Sequence, residues 1–216
     1  MKKLIITADD FGYSKLFNKM ILELVEERSV KSTSVMVDKI DSNQKEQVES
    51  LIKLSQNNFV STGLHIYFKN TNFSEEIERQ WKKFIKIFWF QPSHIDIHKL
   101  DYLDKGYPII QEFSKRKKIP CKNLSKYNEN IMDFDLVITT QTPDFSGTGK
   151  NFDEISIWLD NLKNWISIIT FHPWHYDPES LSGLNKEREK DAENIRKIIA
   201  NLNHYNIKLV NFYDLK

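Results

Sequence analysis

Short β-branched apolar runs alternate with amphipathic stretches along almost the whole chain, and that alternation leaves few architectures open. Residues 4–8, 32–37, 60–66, 93–98, 136–140, 165–171 and 207–211 read as strands, with a further short one around 120–122. Between them, residues 14–28, 44–55, 75–88, 108–117, 152–163 and 185–202 carry helical patterning. In the first of these, Leu16, Met20, Ile21, Leu24 and Val25 recur at helical spacing, and Ser14 is placed to cap the helix. Strands that alternate with helices require a mainly parallel sheet covered by helices. About seven such units suit a distorted TIM-like (β/α) barrel better than an open sheet. The expected fold is therefore α/β, one domain over residues 1–216.

Composition narrows the function by exclusion. With 31 Lys+Arg against 30 Asp+Glu the formal net charge is +1, which argues against a nucleic-acid partner held by a global basic field. A single cysteine, Cys121, excludes an intrachain disulfide and a Cys-based zinc cluster. The apolar run after Lys2 and Lys3 meets two carboxylates after five residues, too few for a signal peptide, and no stretch has the length of a membrane span. A soluble, cytoplasmic protein with no membrane partner is expected.

In a barrel, functional side chains gather at the C-terminal ends of the strands. Asp9 and Asp10, His65, His98 and His172 each end an apolar run. An Asp with two His offers oxygen and nitrogen ligands while leaving coordination sites open for water and substrate. His94-x-Asp96-x-His98 is the strongest single pattern, because period-two spacing puts all three side chains on one face of a strand. Adjacent residues on a strand point to opposite faces, so Asp9 and Asp10 can share a site only if the strand ends there. Phe11-Gly12 is expected to supply that turn. Each piece also has a plain structural reading. Asp-Asp at a strand end is common turn chemistry, and His172-Pro173-Trp174-His175 could be a packed aromatic corner. The segments gain weight together.

Residues 7–14 (TADDFGYS) with Asn18, then Ser32-Thr33-Ser34, Gly63-Leu64-His65, residues 92–98 (PSHIDIH) and Phe171-His172-Pro173 resemble the YdjC-like carbohydrate deacetylases, which include the chitooligosaccharide deacetylases. The motifs keep the family's order from residue 4 to about 177. The resemblance implies a distorted barrel related to polysaccharide deacetylases, one divalent metal ion (magnesium or zinc), and release of acetate from a small N-acetylated sugar or oligosaccharide. It implies Asp10, His65 and His98 as metal ligands, Asp9 as general base and His172 as the acid for the leaving amine. His94 and Asp96 would orient the ligands. Lys122 stands where a basic residue, often Arg, steadies the catalytic Asp. Tyr13, Trp174 and Tyr176 are candidates for an exposed aromatic surface against sugar.

The sequence departs from the family at Leu100 and Tyr102, where further histidines are expected, and in a shorter stretch between His65 and His98. A carbohydrate-binding relative without turnover, and a metal hydrolase of another substrate such as a phosphoester, stay open as alternatives. The Gly-rich segment at 145–149 carries little weight for the second. A homodimer is left open.

Overall fold

Strand β1 (Lys2–Phe11) is central, and every ladder it makes is parallel. In this computed structural model the described residues are 1–69, 71–98, 103–122, 138–141, 151–162, 166–179 and 187–215. Along the chain β1 is followed by α1 (Lys15–Glu26), β2 (Ser32–Val35), α2 (Lys45–Gln56), β3 (Ser61–Ile66), α3 (Phe73–Phe88) and β4 (Ile95–Ile97). The second half runs α4 (Leu103–Lys117), β5 (Ile138–Gln141), α5 (Phe152–Asp160), β6 (Ile166–Phe171), α6 (Arg188–Ala200) and β7 (Ile207–Leu209). The sheet order is β4-β3-β2-β1-β6-β5, with β7 paired to the start of β1. The sheet curls into a half-barrel flanked by the six helices, so the expected distorted α/β barrel is what forms. The short strand foreseen around 120–122 is a single parallel bridge, Ile95 to Cys121. No helix among the described residues is long and apolar enough to cross a membrane. Leu100, Tyr102 and the Gly-rich segment 145–149 lie outside the described residues.

Two apolar clusters separate the two faces of the sheet. Leu4, Ile6 and Ala8 of β1 and Ile169 and Phe171 of β6 belong to the large cluster shared with the helices. Ile5 and Ile168 turn the other way and pack with Val210 and Phe212 inside the curl. With a side-chain period of two, the inward face of β1 reads Ile5, Thr7, Asp9, and that of β6 continues from Ile168 through Thr170 to His172. The interior thus changes from apolar at the strand starts to ionisable at the strand ends.

The links back from helix to strand share one device. Arg28, Asn58, Trp89, Lys118 and Asn206 all have φ between 53° and 63° and follow a helix. After Arg28, Asn58 and Lys118 the next residue returns its N–H to a carbonyl in the last helical turn, as in Phe59 N–H to Leu54 O (2.9 Å) and Ile119 N–H to Ser114 O (3.1 Å).

Gly63 of β3 lies under the ring of His94, where a Cβ would come within 2.4 Å of the imidazole. On the other side the ring stacks on Phe212 at 3.9 Å between centroids. No space is left for a methyl group. Gly63→Ala is expected to lower stability by about 1–3 kcal/mol through overpacking. Urea unfolding measures it, and an unchanged midpoint would show that His94 is not held in this slot.

Candidate metal centre

The acidic pair departs from its expected local structure in an informative way. β1 does not end at Asp9-Asp10 but runs on to Phe11. Between the pairings Ala8 with Thr33 and Phe11 with Val35, two residues of β1 face only Ser34 of β2. This is a β-bulge. Asp10 itself takes a left-handed conformation, φ 71°, and Gly12 follows at φ 98°. The turn is therefore made one residue into the pair, where Asp tolerates positive φ better than most side chains. Asp9 points inward by the strand's own alternation, and the bulge swings Asp10 round to join it.

Three donor atoms then converge. Asp10 Oδ1 lies 3.2 Å from His65 Nε2 and 2.9 Å from His98 Nδ1, and the two ring nitrogens are 3.3 Å apart. His65 sits opposite Asp96 in the β3–β4 ladder, and its Nδ1 meets Asp96 Oδ1 at 2.5 Å. That carboxylate holds the Nδ1 proton and fixes the ring so that Nε2 faces Asp10 and His98. All three residues are largely buried, His98 least so.

Beside this triangle, Lys122 Nζ contacts Asp9 Oδ2 at 2.6 Å and also Asp96 Oδ2. Lys122 is only 3% exposed. Asp9, His65 and Asp96 form a second set of clustered donors, and the ammonium pairs with both of its carboxylates. A single ammonium thus pairs with carboxylates of two different residues, without the bidentate contact that an Arg could make to one of them.

His94 binds through both nitrogens, Nε2 to Ser34 Oγ at 3.0 Å and Nδ1 to Ser93 Oγ at 2.9 Å. Ser34 Oγ donates to Asp96 Oδ2 at 3.3 Å. His94, Asp96 and His98 thus share one face, but His94 braces Asp96 and lies outside the donor triangle.

The ionisation states follow from these contacts. Burial alone would raise the Asp10 carboxyl, but hydrogen bonds from His65 and His98 and the charge on His172 hold it well below the usual carboxylate range. Burial disfavours the charged His65 ring, yet Asp96, Asp9 and Asp10 push its pKa up to about 10. Burial likewise opposes a charge on Lys122, and Asp9 and Asp96 outweigh it, so the ammonium is kept. His94 goes the other way, down to about 3, chiefly by burial.

His172 follows β6 directly opposite Asp9, since Ala8 pairs with Phe171, and its backbone N–H donates to Asp191 Oδ2 at 3.0 Å. Trp174 is not the exposed platform expected. It is 3% exposed, stacked on Phe17 at 3.8 Å, with the Arg188 guanidinium 5.0 Å from its ring. Tyr13 stacks on Phe17 at 4.9 Å and is partly exposed, and Tyr176 is exposed. Two residues beside the site escaped the sequence reading. Tyr67 meets the His98 ring edge-on at 5.7 Å, and Lys39 Nζ lies 4.9 Å from the Tyr67 ring and 5.4 Å from that of Tyr13. His65-x-Tyr67 has the same period-two spacing that singled out Asp96 and His98.

The donor set suits a small divalent cation. Edges of 2.9–3.3 Å match adjacent ligand atoms around an ion with bonds of about 2.0–2.2 Å. Once the imidazoles give up their protons to act as ligands, three buried carboxylates against one ammonium would leave a net charge of −2, which such an ion would balance.

The half-barrel fold recurs in solved structures of low sequence identity. A candidate cellobiose-phosphate cleavage protein from Enterococcus faecalis has the same fold, with a TM-score of 0.76 at 20% identity over 99% of this chain and 98% of that one. More narrowly, residues 3–71 match the family described as YdjC-like protein. A carbohydrate deacetylase of Clostridium beijerinckii is 26% identical over 99% of this chain and 100% of its own. A chitooligosaccharide deacetylase of Yersinia pestis is 23% identical over 56% of this chain and 59% of its own.

Two measurements check the electrostatics. The unfolded chain protonates His94 near pH 6.5 and the native protein only near pH 3, so the native state gains no proton there while the unfolded state does. The stability contributed by His94 is therefore fully present above about pH 6.5 and is lost as pH drops toward 3. The His94→Gln variant should lose that part of the slope, and identical slopes would place the titration elsewhere. Lys122→Met leaves Asp9 and Asp96 buried without their cation and should cost about 3–5 kcal/mol in unfolding free energy. A loss below 1 kcal/mol would mean the ammonium is not the partner that keeps both carboxylates charged.

Proposed function

We propose that the protein is a metal-dependent deacetylase of small N-acetylated sugars or oligosaccharides, with Asp10, His65 and His98 as the metal ligands. The observation that carries this reading is the convergence of those three donor atoms beside a separately held carboxylate, Asp9. The names of the Clostridium and Yersinia relatives point to the same substrate class. Two imidazoles and one carboxylate favour zinc or a similar transition metal over magnesium, which prefers oxygen ligands. When bound, the ion would supply a Lewis acid for the acetyl carbonyl and lower the pKa of water.

The chain's own groups perform the proton transfers. Asp9 accepts the proton of the attacking water. Lys122 occupies its Oδ2 and leaves Oδ1, which among the described residues accepts from the Thr7 hydroxyl at 3.4 Å, to face the reactants. His172 donates a proton to the leaving amine from the neighbouring strand end. Asp96 holds the His65 ring in the tautomer that presents Nε2. Tyr13 and Tyr67, both partly exposed, stand beside the site.

Zinc uptake should displace the proton that His65 carries below pH 10, so affinity should rise by about tenfold per pH unit across neutral pH, with one proton released. Calorimetry in buffers of different ionisation heat reads the proton count. Zero protons released would remove His65 from the ligand set. His65→Ala and His98→Ala should each lose most of the metal by elemental analysis.

Asp9→Asn should keep the metal and lose acetate release by several orders of magnitude. His172→Asn should lower turnover with metal content unchanged. The assay is acetate release from N-acetylglucosamine and chitooligosaccharides, with and without chelator. If wild type and Asp9→Asn release acetate equally slowly on every sugar while both hold zinc, the protein is better read as a binding relative.

A further inference from the structure

The left-handed conformation of Asp10 is unfavourable for a non-glycine residue and persists only where its surroundings dictate it. The residues that follow show what does so. Tyr13 N–H donates to Asp10 O (3.0 Å) and Met36 N–H to Phe11 O (2.8 Å). The Gly12 peptide groups have no main-chain partner among these contacts. Instead Gly12 N–H donates to Asn18 Oδ1 at 2.6 Å, and Gly12 O accepts from Gln44 Nε2 at 3.1 Å.

The two amides are locked to each other. Because Asn18 Oδ1 faces the Gly12 N–H, its Nδ2 must point away, and it donates to Gln44 Oε1 at 3.1 Å and Gln47 Oε1 at 3.2 Å. Gln44 is thereby oriented with its Nε2 on Gly12 O and, at 3.5 Å, on Lys39 O. Asn18 is fully buried on α1, and Gln44 is 2% exposed at the start of α2. Gly12 also packs so closely on Met36 that a Cβ would fall 2.9 Å from its carbonyl oxygen.

We propose that Asn18 and Gln44 are positioning residues, a clamp of two buried amides that grips both sides of Gly12 and so holds Asp10 in the conformation that aims Oδ1 at His65 and His98. Neutral amides suit the position: a carboxylate at 18 could accept from Gly12 but could not donate onward to Gln44. It would also add a fourth negative charge to the three already buried there. The inference rests on Asp10 as a metal ligand, but the conformation of Asp10 can be read without metal.

The experiment compares wild type with Asn18→Leu, Gln44→Met, Gln47→Ala and the remote control Ser55→Ala, which breaks the buried 2.5 Å Ser55–Thr62 contact. Backbone carbon chemical shifts of Asp10, recorded metal-free, should leave the left-handed range in Asn18→Leu and Gln44→Met. They should stay in it in Gln47→Ala and Ser55→Ala. Zinc titrated alone should bind about 10–100-fold more weakly to the two clamp variants, as when a ligand loses its support. Should Asn18→Leu fail to fold, Gln44→Met, which keeps the Gly12–Asn18 bond, carries the test. If the Asp10 shifts stay left-handed in Gln44→Met, or its zinc affinity falls no more than that of Ser55→Ala, the clamp is overturned. If wild type and His65→Ala take up zinc equally, the ligand assignment has failed instead, and the Asp10 shifts alone decide the clamp.

Discussion

One backbone irregularity, the bulge at Asp9-Asp10, decides whether this barrel has a site at all. On a regular strand the two carboxylates would face opposite sides of the sheet, one into the curl and one into the apolar layer beneath the helices. An ionised side chain in that layer would be very costly. By opposing two residues to the single Ser34, the bulge places both on the polar side. Thr33 Oγ1 bonds the Ala8 carbonyl just before it at 2.7 Å. Everything else at the site presupposes this kink: the histidine triangle, the Lys122 bridge and the amide clamp.

The ionisable groups also depend on one another in a way pairwise contacts understate. Asp96 serves three neighbours, accepting from His65, pairing with Lys122 and accepting from Ser34, which His94 braces. Lys122 in turn ties Asp96 to Asp9. A change at any member redistributes charge through the group, so single substitutions here should be non-additive. His94 is the exception in kind. Burial keeps it neutral, and it works as a rigid spacer between Gly63 and Phe212.

Much of the architecture was legible because it rests on periodicity. The alternation of apolar runs with helical stretches gave the parallel half-barrel, and the spacing in 94–98 put three polar side chains on one face, as found. What escaped the sequence was local geometry. Nothing in the letters Asp-Asp-Phe-Gly says that the positive φ falls on Asp10 as well as on the glycine. Trp174 looked like a surface for sugar because it lies near His172, yet Phe17 claims its face, and such a contact between distant elements leaves no periodic trace. Tyr67 could have been found by extending the period-two rule past His65. Lys39 could not, since only the packing of three loops, those after β1, β2 and β3, brings it over the tyrosines.

The two rims of the barrel carry their conformational strain for different ends. On the rim of strand ends it sits in Asp10, where relaxing it would disperse the ligands. On the opposite rim Arg28, Asn58, Trp89, Lys118 and Asn206 each hold a left-handed turn that glycine would adopt without steric cost. Robustness is therefore adjustable where chemistry is not at stake: glycine could be introduced at those helix ends one by one, far from the donor triangle. A lineage that needed a tougher scaffold, or an engineer building one, could raise stability along that rim and leave the reactive rim as it stands.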